Sequence, residues 1–368
     1  MTAARARIRR FALLAWVSLL AVACQPKVPA MTPEEAQRIQ TLTARMTARC
    51  VGRYLIDLPD KFVLNEISRT VIEGVTFETT PMTRAMFDLH LKHRRAELEA
   101  KKVDVSHEPS LTDVKSLPDS EGLLFNRSRD GTNSVLRTWE LKSWSNGFML
   151  TMTIDSRDMS FEDPVPNDTR KTDVPEKLAQ LLNVYARTRI RRDDDIPTES
   201  GVCFANGFVK GPPGDHDWID MYHHWDGVPD VYANFSYMSD IGQLKTTLFQ
   251  RGKDIETALA NENGKTLRKG HRSVNGLEFE EWIAQHQPDP REPMMYDVNA
   301  EMNSKGGNAQ HPLLVFGLVS GAKHPRPDPT SEEAATEKPL EKVTLNAAET
   351  VALWDKISAT LRPRPGAF

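Results

Sequence analysis

The same succession of apolar and turn patterns occurs twice in this chain, and this repeat limits the possible folds more than any other feature. Cys50 begins one predicted strand, which Pro59 ends, and Cys203 begins another, which the turn at 211–214 ends. Three further pairs of patterns follow at a near-constant offset: Phe87, Leu91 and Leu98 with Leu244, Leu248 and Ile255; Gly122–Phe125 with Gly276–Phe279; and Leu178, Leu181 and Val184 with Val351, Trp354 and Ile357. The repeat favours an ancient duplication, and chance resemblance between two ordinary α+β domains is the alternative.

The segments between the predicted helices have the period of antiparallel strands. Phe148, Leu150, Met152 and Ile154 alternate with more polar residues, as in a half-buried strand. Ser145-Asn146-Gly147 joins this strand to Leu136–Trp144 as a hairpin. Tyr296–Met302 alternates in the same way, and Leu313–Val319 reads as a buried strand. The predicted fold class is therefore α+β, with two related domains, each a curved antiparallel sheet with helices packed on one face.

Capping residues and loops place the boundaries. Thr32 to Glu35 forms a capping box, so a helix should run from there to about Met46. Asp173 and Asn346, each followed three residues later by glutamate, should cap the closing helices. The predicted organisation is a signal peptide at 1–23, a tether and N-terminal helix at 24–48, an N-terminal domain at 49–191, a linker at 192–200, a C-terminal domain at 201–362 and a tail at 363–368, with a solvated loop at 322–342.

The first 24 residues have the pattern of a bacterial lipoprotein signal. Four arginines precede an apolar stretch at 11–22, which is too short for a transmembrane helix, and Ala21-Val22-Ala23 leads into Cys24. We expect cleavage before Cys24 and attachment of lipid, including palmitate, to its thiol. Because Gln25 is not the aspartate that retains lipoproteins at the inner membrane, we expect a periplasmic protein anchored in the outer membrane. A cleaved soluble product and an uncleaved anchor are the alternatives.

The charge of the chain bears on its possible partners, and its cysteines bear on a possible disulfide. The whole chain has 47 basic and 51 acidic residues, and removal of the four signal arginines makes it more acidic, which argues against nucleic acid as a partner. Cys50 and Cys203 remain as an even pair, which in an oxidising compartment predicts a disulfide. Two separate buried thiols are the alternative.

No common catalytic constellation is evident. The glycines around Ser320 have the wrong spacing for a nucleophile elbow, and His107-Glu108 lacks the second histidine of a zinc-binding helix. Asp193-Asp194-Asp195 is either a calcium ligand set or a solvated linker. We predict no catalytic, metal or cofactor site.

Residues 215–226 combine histidines, acids and aromatic residues. In a strand, His223 and His224 point to opposite faces and cannot readily share a metal. A structural strand, a partner-binding strand and a catalytic His–Asp pair are the three interpretations. Tryptophan and tyrosine dominate interface hot spots, so the candidate partner contacts are Trp218, Tyr222, His224 and Trp225.

The segment Cys50-Val-Gly-Arg-Tyr-Leu-Ile-Asp-Leu-Pro59 resembles the opening motif of a family of type VI secretion immunity proteins, the antidotes of the fourth class of secreted antibacterial lipases. The segment 202–209 is similar to the start of that family's second domain. The resemblance implies two related domains arranged as a two-lobed clamp without enzymatic activity. Together with the export signal, it leads us to predict a periplasmic monomer that binds and blocks one cognate secreted phospholipase effector. An envelope hydrolase and an orphan ligand-binding scaffold are the alternatives.

Overall fold

The computed structural model describes residues 28–65, 67–104, 107–117, 122–129, 131, 133–161, 169–239, 246–323 and 338–368. The first half contains α1 (Pro33–Leu42), β1 (Met46–Val51), β2 (Tyr54–Pro59), β3 (Phe62–Leu64), β4 (Arg69–Ile72), β5 (Val75–Pro81), α2 (Arg84–Ala100), β6 (Leu111–Ser116), β7 (Gly122–Ser128), β8 (Leu136–Ser145), β9 (Phe148–Arg157), α3 (Val174–Ala186) and β10 (Thr188–Ile190), with a short 3-10 helix at Met159–Phe161.

The second half repeats this order. It contains β11 (Gly201–Phe204), β12 (Gly207–Lys210), β13 (Trp218–Trp225), β14 (Val231–Met238), α4 (Gly252–Asn261), β15 (Lys265–Val274), β16 (Leu277–His286), β17 (Met295–Asn308), β18 (His311–Ser320), α5 (Ala347–Ser358) and β19 (Arg362–Pro363). Each half thus consists of a hairpin, a strand pair, a helix, a four-stranded meander, a closing helix and a last short strand. This succession confirms the predicted repeat and the α+β class.

The two halves share one antiparallel sheet. Its strands lie in the order β15-β16-β17-β18-β14-β13-β4-β5-β9-β8-β7-β6, and β3 also pairs with β13. The halves therefore have the same internal strand order and meet where the equivalent strands β13 and β4 pair, with Trp218 opposite Val71 and Asp220 opposite Arg69. The sequence pattern gives no sign of this junction.

The opening hairpins are exchanged between the halves. In the first hairpin, β2 pairs with β19 from the end of the second half, and the ring of Tyr54 lies 6.3 Å from that of Tyr237. In the second hairpin, β12 pairs with β10 from the end of the first half, and Phe204 lies 4.8 Å from Phe77. Each hairpin thus packs against the sheet of the other half.

The main core lies on the side of the sheet that carries these hairpins, α3 and α5. Leu181 and Val184 of α3 and Trp354 and Ile357 of α5 are fully buried there. A second sequence signal is confirmed at the turn between β8 and β9, where Asn146 and Gly147 have φ of 50° and 84°, as a two-residue hairpin turn requires. In the described part of the chain, no helix combines the length and apolar character needed to cross a membrane.

Several predicted boundaries were wrong. The capping box at Thr32 is present, but α1 ends at Leu42, and Met46 begins β1. The single strand predicted from Cys50 to Pro59 is a hairpin that turns at Gly52, whose φ of 57° suits glycine. The segment after Cys203 likewise turns at Asn206, which has φ of 55°.

The helix predicted around Leu244, Leu248 and Ile255 is also shorter than expected. It begins at Gly252, so that Leu248 lies in the preceding turn, where it is buried, and Leu244 lies outside the described residues. At α3 the Asp173 side chain does not cap the helix, because its carboxylate accepts from the backbone N–H of Arg157. Asn346, in contrast, forms the predicted capping box with Glu349.

Candidate functional site

Strand β13 presents different residues to the two sides of the sheet. Ile219, Met221 and His223 are completely buried on the core side. Trp218, Asp220, Tyr222 and His224 alternate with them and are only partly buried on the other side. The period-two interpretation of this segment is therefore correct. Three of the four residues predicted to contact a partner, Trp218, Tyr222 and His224, lie together on this partly buried side of the strand.

Neighbouring strands extend this surface, because directly paired residues point to the same side of a sheet. On β14, Tyr232 pairs with His224 and Asn234 with Tyr222. On β3, Val63 pairs with His224 and is 39% exposed. We call the resulting surface the central face; it consists of Val63, Arg69, Val71, Trp218, Asp220, Tyr222, His224, Tyr232, Asn234 and Ser236.

Two helices lie on the same side of the sheet as the central face. On one flank, Trp282 packs against α4, and a row of paired residues leads from it through Asn299, Gly317 and Asn234 to Tyr222. On the other flank, α2 holds Glu140, and a row leads from Glu140 through Thr153, Thr76 and Val71 to Trp218. The central face is therefore the strip of sheet between α2 and α4, built by both halves.

Contacts within the central face fix its largest ring. The indole Nε1 of Trp218 donates to the carboxylate of Asp220 at 2.7 Å, and the Arg69 guanidinium lies 5.4 Å from the centre of the Trp218 ring. Burial and the nearby Asp220 charge raise the pKa of Tyr222, so its hydroxyl stays neutral near pH 7. A ring held in place like that of Trp218 loses little side-chain entropy when another surface contacts it.

Trp225 lies on a different surface. Its ring stacks on Phe62 at 6.5 Å and lines a groove of about 630 Å³ against α1. The four residues predicted as partner contacts are thus divided between two sides of the sheet. Their role in binding remains a prediction.

The core side of β13 is tied to the linker between the halves. His223 Nε2 lies 3.0 Å from the carboxylate of Asp193, and Arg49 of β1 lies 2.9 Å from the same oxygen. Burial opposes the charge on Asp193, but His223, Arg191 and Arg49 outweigh it and lower the pKa of this carboxyl. Asp193 is consequently an ordered part of the junction, whereas the side chains of Asp194 and Asp195 are 47% and 51% exposed, as in a solvated linker.

The same contacts argue against the other chemistry considered for these residues. Asp194 pairs with Arg192 and Asp195 with Arg189, so the three aspartates have separate partners. In the described ranges, no three His, Cys, Asp or Glu side chains are grouped so that they could hold a metal ion. His223 and His224 point to opposite sides of the sheet and do not form a joint site.

Several residues of the central face were not predicted from the sequence. Tyr232, Asn234 and Ser236 alternate with buried residues of β14, so period two could have found them. Arg69 and Val63 could not have been found, because their place depends on pairing between strands of different halves.

The predicted disulfide between the two halves is present. Cys50 and Cys203 are bonded, with an S–S distance of 2.04 Å, and both residues are completely buried. Cys24 and the signal pattern lie outside the described residues.

The fold and the central face define a two-repeat α+β protein in which strands of both halves form one surface of aromatic and polar side chains. Family models identify it further. The model of the Tle cognate immunity protein 4 N-terminal domain matches residues 47–191, and the model of its C-terminal domain matches residues 195–366. Since the two models together match most of the chain, the protein belongs to this immunity protein family.

Solved structures have the same fold. One, described as the crystal structure of a Tle4–Tli4 complex, is 18% identical with a TM-score of 0.64, covering 87% of this chain and 98% of that one. The apo immunity protein TplEi of the type VI secretion system of Pseudomonas aeruginosa is 18% identical with a TM-score of 0.61, covering 87% of this chain and 97% of that one. TplEi complexed with an "L" peptide gives a TM-score of 0.59 at 18% identity and covers 87% and 98%. No curated protein matches the sequence.

Proposed function

We propose that this protein is a periplasmic immunity protein that binds a cognate type VI secreted phospholipase effector and blocks it. The family match over residues 47–191 and 195–366 is the observation that carries this proposal. The solved relatives support it, because one is a complex named for Tle4 and Tli4. Protection of the producing cell then follows from occupying the effector rather than from any reaction catalysed by this chain.

The central face is the surface that we propose for the effector. Its aromatic residues supply large contact area, and the exposed Val63 and partly buried Val71 add apolar contact at its edge. Arg69 and Asp220 can orient a partner through charged hydrogen bonds. Because both halves contribute strands, a partner seated between α2 and α4 would contact both halves at once.

We also propose that the protein is exported and held in the outer membrane by a lipid on Cys24. The arginines, apolar stretch and small residues before Cys24 support this. A membrane-held antidote meets a lipase near the phospholipid it attacks, at high effective concentration. Metabolic labelling with palmitate should mark the wild type and should not mark a Cys24→Ser variant.

Neutralisation in cells provides the functional test. A phospholipase effector from a gene adjacent to the one for this protein should kill cells when it is directed to the periplasm, and co-expression of this protein should restore growth. The purified proteins should form a 1:1 complex that no longer hydrolyses phospholipid. A complex that retains full lipase activity would contradict blocking as the mechanism.

A further inference from the structure

The disulfide lies at the point where the two exchanged hairpins cross. Cys50 belongs to β1 and Cys203 to β11, and they occupy equivalent positions in the two repeats. Beside the sulfur atoms, Gly52 and Cys203 exchange two backbone hydrogen bonds of 3.0 and 2.8 Å. Because each hairpin packs on the sheet of the other half, this crossing joins the two halves at a second place, in addition to the pairing of β13 with β4.

Contacts lead from the disulfide to the central face. Arg49, next to Cys50 in β1, pairs with Asp193, and Asp193 pairs with His223. His223 lies in β13 between Tyr222 and His224, two residues of the central face. The same linker is fixed by Arg191, whose guanidinium donates to the carbonyl of Cys50 at 3.1 Å. Displacement of β1 would therefore disturb the partners that hold β13 on its core side.

We propose that the Cys50–Cys203 disulfide is an oxidation-dependent lock on the crossed hairpins, so that the chain presents a fully formed central face only after thiol oxidation. The functional consequence of this lock rests on the proposed function: the protein becomes able to bind its effector once it has reached an oxidising compartment.

The chemistry is thiol–disulfide exchange. The Cys50 and Cys203 thiols form one S–S bond and lose two protons and two electrons. A second disulfide compound accepts these protons and electrons, and its own S–S bond is reduced to two thiols. With a sequence separation of 153 residues, closing the loop changes the unfolding equilibrium constant roughly five-thousandfold in the chain-entropy model. Oxidation therefore has a large effect on the population in which both hairpins are seated.

The experiment compares the full chain in its thiol form, made under reducing conditions, with the disulfide form obtained by adding oxidised glutathione. Hydrogen exchange of the β1 and β11 amides reports on the hairpins without any partner. Binding of the neighbouring phospholipase reports on the central face. A Cys50→Ala/Cys203→Ala variant is the control that should not respond to the oxidant in either measurement.

We expect the thiol form to exchange faster at β1 and β11 and to bind the phospholipase about tenfold more weakly or worse, with oxidation restoring both properties. Equal protection and equal affinity in the two forms would overturn the lock. If the double variant fails to fold, the reversible oxidation of the wild type still decides the question. If the disulfide form protects its hairpins but does not bind the phospholipase, the proposed function fails while the lock stands.

Discussion

At the scale of single residues, the central face depends on how Trp218 is held. Its indole donates to Asp220 and lies beneath the Arg69 guanidinium, so the ring is oriented before any partner arrives. Trp225 lies on the same strand but packs against Phe62 on the opposite side of the sheet. Substituting one tryptophan or the other therefore tests the two sides of the sheet separately.

Replacing Trp218 with alanine should weaken effector binding by about 2 kcal/mol, since a central aromatic anchor is lost. Tyr222→Ala should act in the same direction. Trp225→Ala is the control, because the strand and the residue type are the same but the surface differs. Isothermal titration with the phospholipase measures all three variants. If only Trp225→Ala weakens binding, the effector uses the groove beside α1 instead of the central face.

A buried carboxylate gives a pH prediction at the same scale. Burial raises the pKa of Glu140, but Arg94, Arg127 and Lys142 outweigh it and lower this pKa from 4.5 to about 2. A lowered carboxyl pKa stabilises the fold above the unfolded value and loses this contribution as the pH falls towards the folded value. Glu140 should contribute roughly 3 kcal/mol at neutral pH, and this should disappear between about pH 4.5 and pH 2.

Urea unfolding measured across that pH range checks the prediction. Glu140→Gln should be less stable than the wild type at pH 7 and should approach it at low pH. Glu256, an exposed partner of Lys269, gives a matched control as Glu256→Gln, which should leave the pH profile unchanged. Parallel profiles for wild type and Glu140→Gln would show that Glu140 carries no such contribution.

At the scale of elements, the last strand of each half is fastened by a buried arginine. Arg191 follows β10, and its backbone N–H donates to the carbonyl of Asn206; Arg364 follows β19, and its backbone N–H donates to the carbonyl of Arg53. The guanidinium of Arg364 donates to the carbonyls of Pro197, Glu199 and Gly201. Burial lowers the pKa of Arg191 and of Arg364 to about 10, which leaves both charged at pH 7.

Arg364→Ala should lower the free energy of unfolding by about 3 kcal/mol or more, because several buried carbonyls lose their donor. Arg192→Ala is the comparison, since that side chain is 82% exposed and its ion pair should contribute at most about 0.5 kcal/mol. Chemical denaturation of the two variants provides the measurement. Equal midpoints would mean that the guanidinium of Arg364 is not needed to hold β19.

Structural features that depend on a single helix, strand or turn could be predicted from the sequence. The core-facing side of β9, the Asn146-Gly147 turn and the capping box at Asn346 were predicted correctly, because each depends on residues close together in the chain. The predicted half-buried character of β9 was wrong, because Met149 and Thr151 on its other side are buried as well. Prediction also failed at the hairpins, where Gly52 and Asn206 each turn a segment that looked like one strand. The pairing of β13 with β4 and the exchange of hairpins were out of reach, since both join residues far apart in sequence.

In the whole molecule, the two segments that match the N-terminal and C-terminal domains of the family do not form two separate bodies. One sheet runs through both, each opening hairpin packs on the other half, and Cys50–Cys203 joins the hairpins. A partner on the central face would therefore meet a surface that is already assembled, without closure of a hinge. Preformed surfaces lose less conformational entropy on binding, which favours the slow dissociation an antidote needs.

This organisation predicts a single cooperative unfolding transition for the oxidised protein. Reporters in the two halves, such as fluorescence of chains that keep only Trp139 or only Trp354, should give coincident urea curves. Both rings are buried on the core side of the sheet, so each reports on its own half. Two separated transitions would show that the halves unfold independently despite the shared sheet.

We propose that this chain neutralises a phospholipase by occupying it rather than by catalysing a reaction. Titrating the purified protein into the neighbouring phospholipase while following phospholipid hydrolysis tests this most directly. We expect hydrolysis to fall to zero at one molecule of this protein per molecule of lipase, and we expect Trp218→Ala to shift the titration to higher concentration while Trp225→Ala does not. Undiminished hydrolysis in the presence of excess folded, oxidised protein would contradict it.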